Sequence, residues 1–341
     1  MGPVYIRQRC SSCHADDARG PGIVLKMSIV DDDGYTMAPD QSLLPFGHTV
    51  RPAHTSAATM GTDRPDAIPG LLVTRRFAPA VFGRGYIDAV LDSEIERVEM
   101  EQAMRTDGVS GHINRVTFTS EANPDTRFHQ HAHGASNLIG RFGLKARIPT
   151  VDDFVADAYQ GDMGITSPMR PSELVNAAGV TEDAVPGIDI DIDTVNAVAD
   201  YVRMLEIPVR RTLNAQGQAA FAQAQCTSCH VPTMHTRANY PIALLADIDA
   251  PIYTDLLVHD MGATLADGLD EGSSTSREWR TAPLMGMRTQ RNYLHDGRVS
   301  TIRAAIEAHG DVESEGNASL NAFHTLSAED QEALIEFVSQ L

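Results

Sequence analysis

Two copies of a five-residue motif hold every cysteine in the chain: Cys10-Ser11-Ser12-Cys13-His14 and Cys226-Thr227-Ser228-Cys229-His230. In each copy the two thiols lie one helical turn apart, and the adjoining histidine can turn its imidazole toward the same side. A porphyrin meets that arrangement with two vinyl groups and one iron. Each copy therefore reads as a covalent c-type haem attachment site, with thioethers at Cys10, Cys13, Cys226 and Cys229 and proximal ligands at His14 and His230. Two blander readings compete. A Cys-x-x-Cys pair serves as a dithiol redox motif or as half of a four-cysteine zinc site. Neither demands a histidine directly after the second cysteine, and a zinc site would leave both histidines without a task. Two covalently bound haems c, each with its iron, are the expected cofactors.

A chain of 341 residues is long for one hydrophobic core, and the wide separation of the motifs predicts two halves with one haem each. Each half closes with a helical pattern. Val195, Val198, Val202 and Leu205 recur at helical spacing within 194–206, and the pattern stops at Ile207-Pro208. Near the C-terminus, Ser327 and Asp330 are placed as a capping box, and Leu334, Ile335, Phe337, Val338 and Leu341 share one face. The fold expected is mainly α: two cytochrome c-like domains with long loops, residues 1–208 and 209–341, divided near Pro208 to Thr212. Gly61 to Gly70 and Ser120 to Thr126, rich in turn formers, read as loops.

Charge excludes one class of partner. Lysine and arginine number 27 against 46 aspartates and glutamates, a net charge of -19, so nucleic acid is not expected to bind. The longest apolar runs, such as Ile242 to Leu245, are core-sized, and no membrane span is expected. Covalent haem attachment takes place outside the cytoplasm. A periplasmic or otherwise exported location is therefore expected, with the export signal removed ahead of Met1-Gly2-Pro3.

The second half carries longer runs: Leu257-Val258-His259-Asp260-Met261-Gly262, Ala266-Asp267-Gly268, Arg277 to Leu284, and Tyr293-Leu294-His295-Asp296-Gly297-Arg298. The first half carries Gly140-Arg141-Phe142-Gly143 and Gly161-Asp162-Met163-Gly164-Ile165-Thr166. Together they resemble the di-haem oxidoreductases, relatives of the bacterial di-haem cytochrome c peroxidases. The resemblance implies a division of labour. A C-terminal haem with two protein ligands takes electrons from a small donor protein such as a cytochrome c. An N-terminal haem with a displaceable sixth site reduces hydrogen peroxide.

For the C-terminal haem the resemblance implies His309 as the ligand opposite His230. Met261, Met285 and Met287 compete, and would raise the potential where histidine lowers it. His295 and His259 are assigned structural, hydrogen-bonding roles. Opposite His14, the candidates are His54, His112, His129, His131 and His133. The last three form a His-x-His-x-His run that shares one face if extended, and could bind zinc or copper. A surface strand beside a loop is the alternative.

At the peroxide site the sequence departs from the peroxidases. Positions that there hold a tryptophan between the haems, a glutamine and a glutamate are here Leu144, Phe154 and Asp162, and the single tryptophan is Trp279. Asp162 keeps a carboxylate able to exchange a proton with peroxide, and its other reading is a loop aspartate or helix cap. Calcium between the domains is not expected, because the family's asparagine position is Phe77, an apolar ring. Two functions remain open: a peroxidase-like haem oxidoreductase, or a di-haem electron carrier without substrate turnover. A passive scaffold would have no use for two redox cofactors. The acidic surface suits a donor with a basic docking face.

Overall fold

Five of the eight helices begin at a side chain that closes its own first turn, and this local chemistry sets the frame of a computed structural model describing residues 2–66, 68–183, 185–210 and 212–341. The helices are α1 (Arg84–Ala89), α2 (Asp92–Ala103), α3 (Val151–Met163), α4 (Ile192–Met204), α5 (Ala215–Gln223), α6 (Ile302–Glu307), α7 (Asn317–Thr325) and α8 (Ala328–Gln340). Thr150, Asp191, Asn214, Thr301 and Ser327 each accept a hydrogen bond from a backbone N–H of the first turn, satisfying a donor that the helix itself leaves open. At the end of α3, Gly164 takes φ 60°, the left-handed conformation that stops a helix at little cost to glycine. Both closing helices form where the periodicity places them. α4 buries Val195, with Val198, Val202 and Leu205 packed against the same core, and α8 buries Leu334, Phe337 and Val338.

The class differs from the expected mainly α architecture. Among the described residues only 29% is helical, and 15% is extended. A seven-residue antiparallel ribbon, Ile23–Ile29 with Leu71–Phe77, covers a small core of Met27, Ile29, Leu44 and Val50. Four shorter ribbons join Val4–Tyr5 to Ala53–His54, Arg115–Val116 to Leu138–Ile139, Met234–His235 to Asp249–Ala250, and Val258–Asp260 to Glu278–Arg280. The expectation generalised from the two most periodic stretches. Between them the chain has few apolar faces at helical spacing, and its Gly, Pro and Asp place it in loops and two-stranded ribbons instead.

Two clusters form the main apolar interior. One packs α1 and α3, with Ile87, Phe118, Phe142 and Met169, against Met234, Ile252, Leu256, Leu257 and Met285 from beyond residue 208. The other joins Phe221 of α5, Phe323 of α7 and Phe337 of α8. Buried charge crosses the same line. Arg76 pairs with Asp267 and Glu271, and Lys145, fully buried, donates to the carbonyls of Thr275, Ser276 and Glu278. Gly20 and Gly297, both with positive φ, close on opposite sides of Phe77, where a Cβ would come within 2.3 and 2.9 Å of the ring. No helix among the described residues is long and apolar enough to cross a membrane.

Candidate haem sites

The two motifs fold alike. Each opens with a short 3-10 turn, Cys10–Ser12 and Cys226–Ser228, in which the N–H of the histidine donates to the carbonyl of the first cysteine, at 2.8 Å for His14 and 2.9 Å for His230. The turn brings both sulfurs and the imidazole of each copy into one neighbourhood. Each histidine is then oriented by a carbonyl from a distant loop: Nδ1 of His14 lies 2.7 Å from Pro79 O, and Nδ1 of His230 lies 3.2 Å from Tyr253 O. A carbonyl only accepts, so Nδ1 carries the proton and Nε2 is the nitrogen left for a metal.

At the second motif the partner is in place. His309 follows α6, and its Nδ1 donates to Ala305 O at 2.8 Å, so it too is turned to offer Nε2. The rings of His230 and His309 lie with centroids 6.4 Å apart, their planes inclined at 60°. Two metal–nitrogen bonds of about 2.0 Å plus half an imidazole on each side span about 6.3 Å, so the gap suits one metal ion. Burial, and for His230 also the nearby His309, lowers both pKa values, that of His230 to about 4, which keeps the rings neutral and able to ligate. The cavity between them is walled largely by apolar side chains, among them Leu284, Phe323, Leu334 and Val338, and reaches both Cys226 and Cys229. The residues present therefore fit a haem. Met261, Met285 and Met287 also line this cavity, and the last two belong to the flanking apolar cores.

The aromatic missing at Leu144 has a neighbour. The N–H of Arg280 donates to Leu144 O at 2.9 Å, which sets Trp279 beside it, and both side chains line the cavity. The indole stacks on His295 with centroids 3.8 Å apart, donates to Leu265 O, and has the Lys145 ammonium 4.2 Å above its ring. His259 is held between Asp255 and Glu315, each within 2.9 Å of a ring nitrogen. Its Nδ1 also lies 3.8 Å from the sulfur of Cys229.

Around the first motif, Cys10 Sγ lies 4.0 Å from Met163 Sδ at the end of α3, and Gly22 is pressed against Cys13, where a Cβ would sit 2.4 Å from the sulfur. The preceding residue, Asp162, is in the last turn of α3 rather than in a loop or at a cap. Its carboxyl is pushed up to about 6, by burial first and then by Asp157, against the pull of Lys26, Arg147 and Arg51. Its charge reaches the motif, since Asp162 adds to the burial that raises the Cys10 and Cys13 thiols.

The histidines considered for the first haem have other engagements. His129 Nε2 donates to Asp152 at 2.7 Å, and its Nδ1 accepts the N–H of His131. His131 stacks on that ring, while His133 is exposed near Glu121, so the run is a loop with its first two histidines tied together. His112 Nε2 lies 2.9 Å from Glu278, and His54, on an exposed strand, turns Nδ1 to Thr55 O. Phe154 packs beside Phe142, with ring centroids 6.2 Å apart. Spacing alone could not disclose the Asp255–His259–Glu315 clamp or the placing of Met163 on Cys10, because each joins segments far apart in sequence.

A search of curated protein sequences finds no match. Among solved structures, one of hydrazine synthase from Kuenenia stuttgartiensis, pressurised with xenon, is similar at 13% identity with a TM-score of 0.42, over 97% of this chain and 80% of that one. A likeness at that level carries no inference. The family model described as "Di-haem oxidoreductase, putative peroxidase" matches residues 69–341, taking in the second motif, the His230–His309 pair and Asp162. The chain belongs to that family of di-haem oxidoreductases.

Proposed function

We propose that the protein is an exported di-haem peroxidase, with one haem c attached at Cys10 and Cys13 within residues 1–208 and the other at Cys226 and Cys229 within 209–341. Haem iron supplies one-electron chemistry at each site. His230 and His309 would hold the iron of the second haem from two sides, which suits acceptance of electrons from a small cytochrome c docking on the acidic surface. Asp162 serves the first site. Its carboxylate oxygen takes a proton from hydrogen peroxide and returns it to the departing oxygen, in a reaction that consumes two electrons and two protons and yields two waters.

The observation that carries this reading is the contrast between the two motifs: one has a second histidine near its own, and the other feels the charge of a carboxyl whose pKa of about 6 suits proton exchange near neutral pH. The test is the spectrum of the ferric holoprotein. A high-spin component that shifts on adding peroxide or cyanide, beside a low-spin haem that loses its second ligand in His309→Ala, is the expected result. Two low-spin haems unmoved by either addition would make the protein a plain electron carrier, and a near-infrared band of His/Met ligation would replace His309 by a methionine.

A further inference from the structure

Some of the buried guanidinium groups in this fold are paired with carboxylates, while others, such as Arg51, meet only backbone carbonyls. Arg76 meets Asp267 and Glu271, and Arg203 meets Asp88 and Asp152. Three arginines line the C-terminal cavity, Arg19, Arg84 and Arg280, and none has a carboxylate within ion-pair distance among the described residues; Arg19 donates to Leu294 O and lies over the Phe77 ring, which leaves Arg84 and Arg280. Arg84 directs Nε and Nη2 to the single carbonyl of Ala80, the former at 2.8 Å. Arg280, 7% exposed, donates from Nε to Gly143 O at 3.1 Å and from Nη1 to Thr281 O at 3.2 Å. Among the described residues neither forms an ion pair, and Asp255 acts on Arg280 only from beyond that range while its Oδ2 is bonded to His259 and Gln102. Burial draws Arg84 down to about 9 and Arg280 to about 10, and the charge of Arg280 adds to the burden on Arg84. A buried guanidinium has five N–H donors; here only part of each set is used, all of it on backbone carbonyls, and the charge is uncompensated.

The cavity they line is the one that presents Cys226, Cys229, His230 and His309. A haem held there would carry two propionate carboxylates, and a guanidinium is the side chain whose donor fork matches a carboxylate. We infer that Arg84 and Arg280 are the anion clamp for the propionates of the haem on the second motif. The inference rests on the reading that this motif carries a haem. The clamp has two effects. It would hold the propionates on the Arg84 and Arg280 side of the cavity, and it would set two positive charges near the redox centre, which favours the reduced state.

The test is a spectroelectrochemical titration of the holoprotein, parent against Arg84→Met, Arg280→Met and the two corresponding lysine variants. Each methionine variant is expected to shift the oxidised-to-reduced ratio of the low-spin haem at least tenfold toward oxidised at a fixed potential, a fall in midpoint of about 59 mV or more for one electron. Lysine should restore most of it, which a merely structural role would not require. Unchanged midpoints in both methionine variants, with the low-spin spectrum intact, would overturn the clamp. So would a shift confined to the haem on Cys10 and Cys13. A holoprotein with no haem on the Cys226 to His230 peptide would overturn the functional reading together with the clamp, and haem peptide mapping tells that outcome from the others. Because the two arginines lie on different segments, failure of one variant to fold leaves the other to decide.

Discussion

Asp162→Asn removes a charge while keeping the shape of the side chain, and its effect on stability can be worked from the structure. The folded carboxyl has a pKa of about 6 where the ordinary value is 3.8. Between those values the folded state binds more protons than the unfolded chain. Stability therefore falls as pH rises through that window, and the full penalty applies above it. At about 1.4 kcal/mol per pKa unit the penalty is about 3 kcal/mol at neutral pH. Asparagine escapes it, so the variant should be more stable than the parent by up to that amount, about 4 °C in Tm for a chain of this length. The gain should vanish below about pH 3.8, where the native carboxyl is neutral as well. The same change removes the proton acceptor, and peroxide turnover should fall about 100-fold or more. Calorimetry at about pH 7.5 and about pH 3.5, with peroxide-driven oxidation of a reduced cytochrome c, reads both effects. Equal or lower stability at neutral pH, or a gain undiminished in acid, would refute the reasoning.

Three further expectations concern the frame and the surface. Arg203→Met would take the guanidinium from the buried carboxylates of Asp88 and Asp152, leaving them Tyr240 and His129, and should cost about 3 kcal/mol in denaturant unfolding; a variant within error of the parent would show that the network contributes little. Gly217→Ala should destabilise by about 1–3 kcal/mol, because its Cβ would stand 2.0 Å from Ala333 O where α5 crosses α8. On an open helix surface the same change would stabilise by about 1 kcal/mol, so a raised Tm would mean the crossing yields easily. Turnover with a basic cytochrome c should drop as ionic strength rises from about 0.01 to about 0.5 M, and insensitivity to salt would remove docking on the acidic surface.

The parts of the fold that could be read from the chain are those whose cause lies within a few residues. Ser327 and Asp330 cap α8 because a hydroxyl three residues ahead of a free N–H reaches it in the first helical turn. Pro208 lies beyond the end of α4 for an equally local reason. The ribbon of Ile23–Ile29 with Leu71–Phe77 was not legible, since its register joins strands separated by a long loop. From the sequence Asp162 reads either as a proton-exchanging carboxylate or as a loop or cap residue; α3 runs one residue past it, which removes the second reading, and the carboxyl lies near Asp157, Lys26, Arg147 and Arg51. The His129, His131 and His133 run has a metal-like spacing, yet Asp152, far along the chain, holds the first of them.

The sequence by itself determined the chemistry that five consecutive residues can carry, two thiols and an imidazole presented together, twice, and residues 69–341, which hold the second motif, carry the match to a di-haem family. It also determined the helix ends, because caps are short-range. The tertiary structure alone decided what stands opposite each motif. It brings the ring of His309 to 6.4 Å from that of His230, sets Trp279 beside Leu144, turns Arg84 and Arg280 into one cavity with no carboxylate paired to either, and encloses Asp162 so that its proton is held to about pH 6. Those arrangements depend on burial and on contacts between distant segments, and neither quantity exists until the chain has folded.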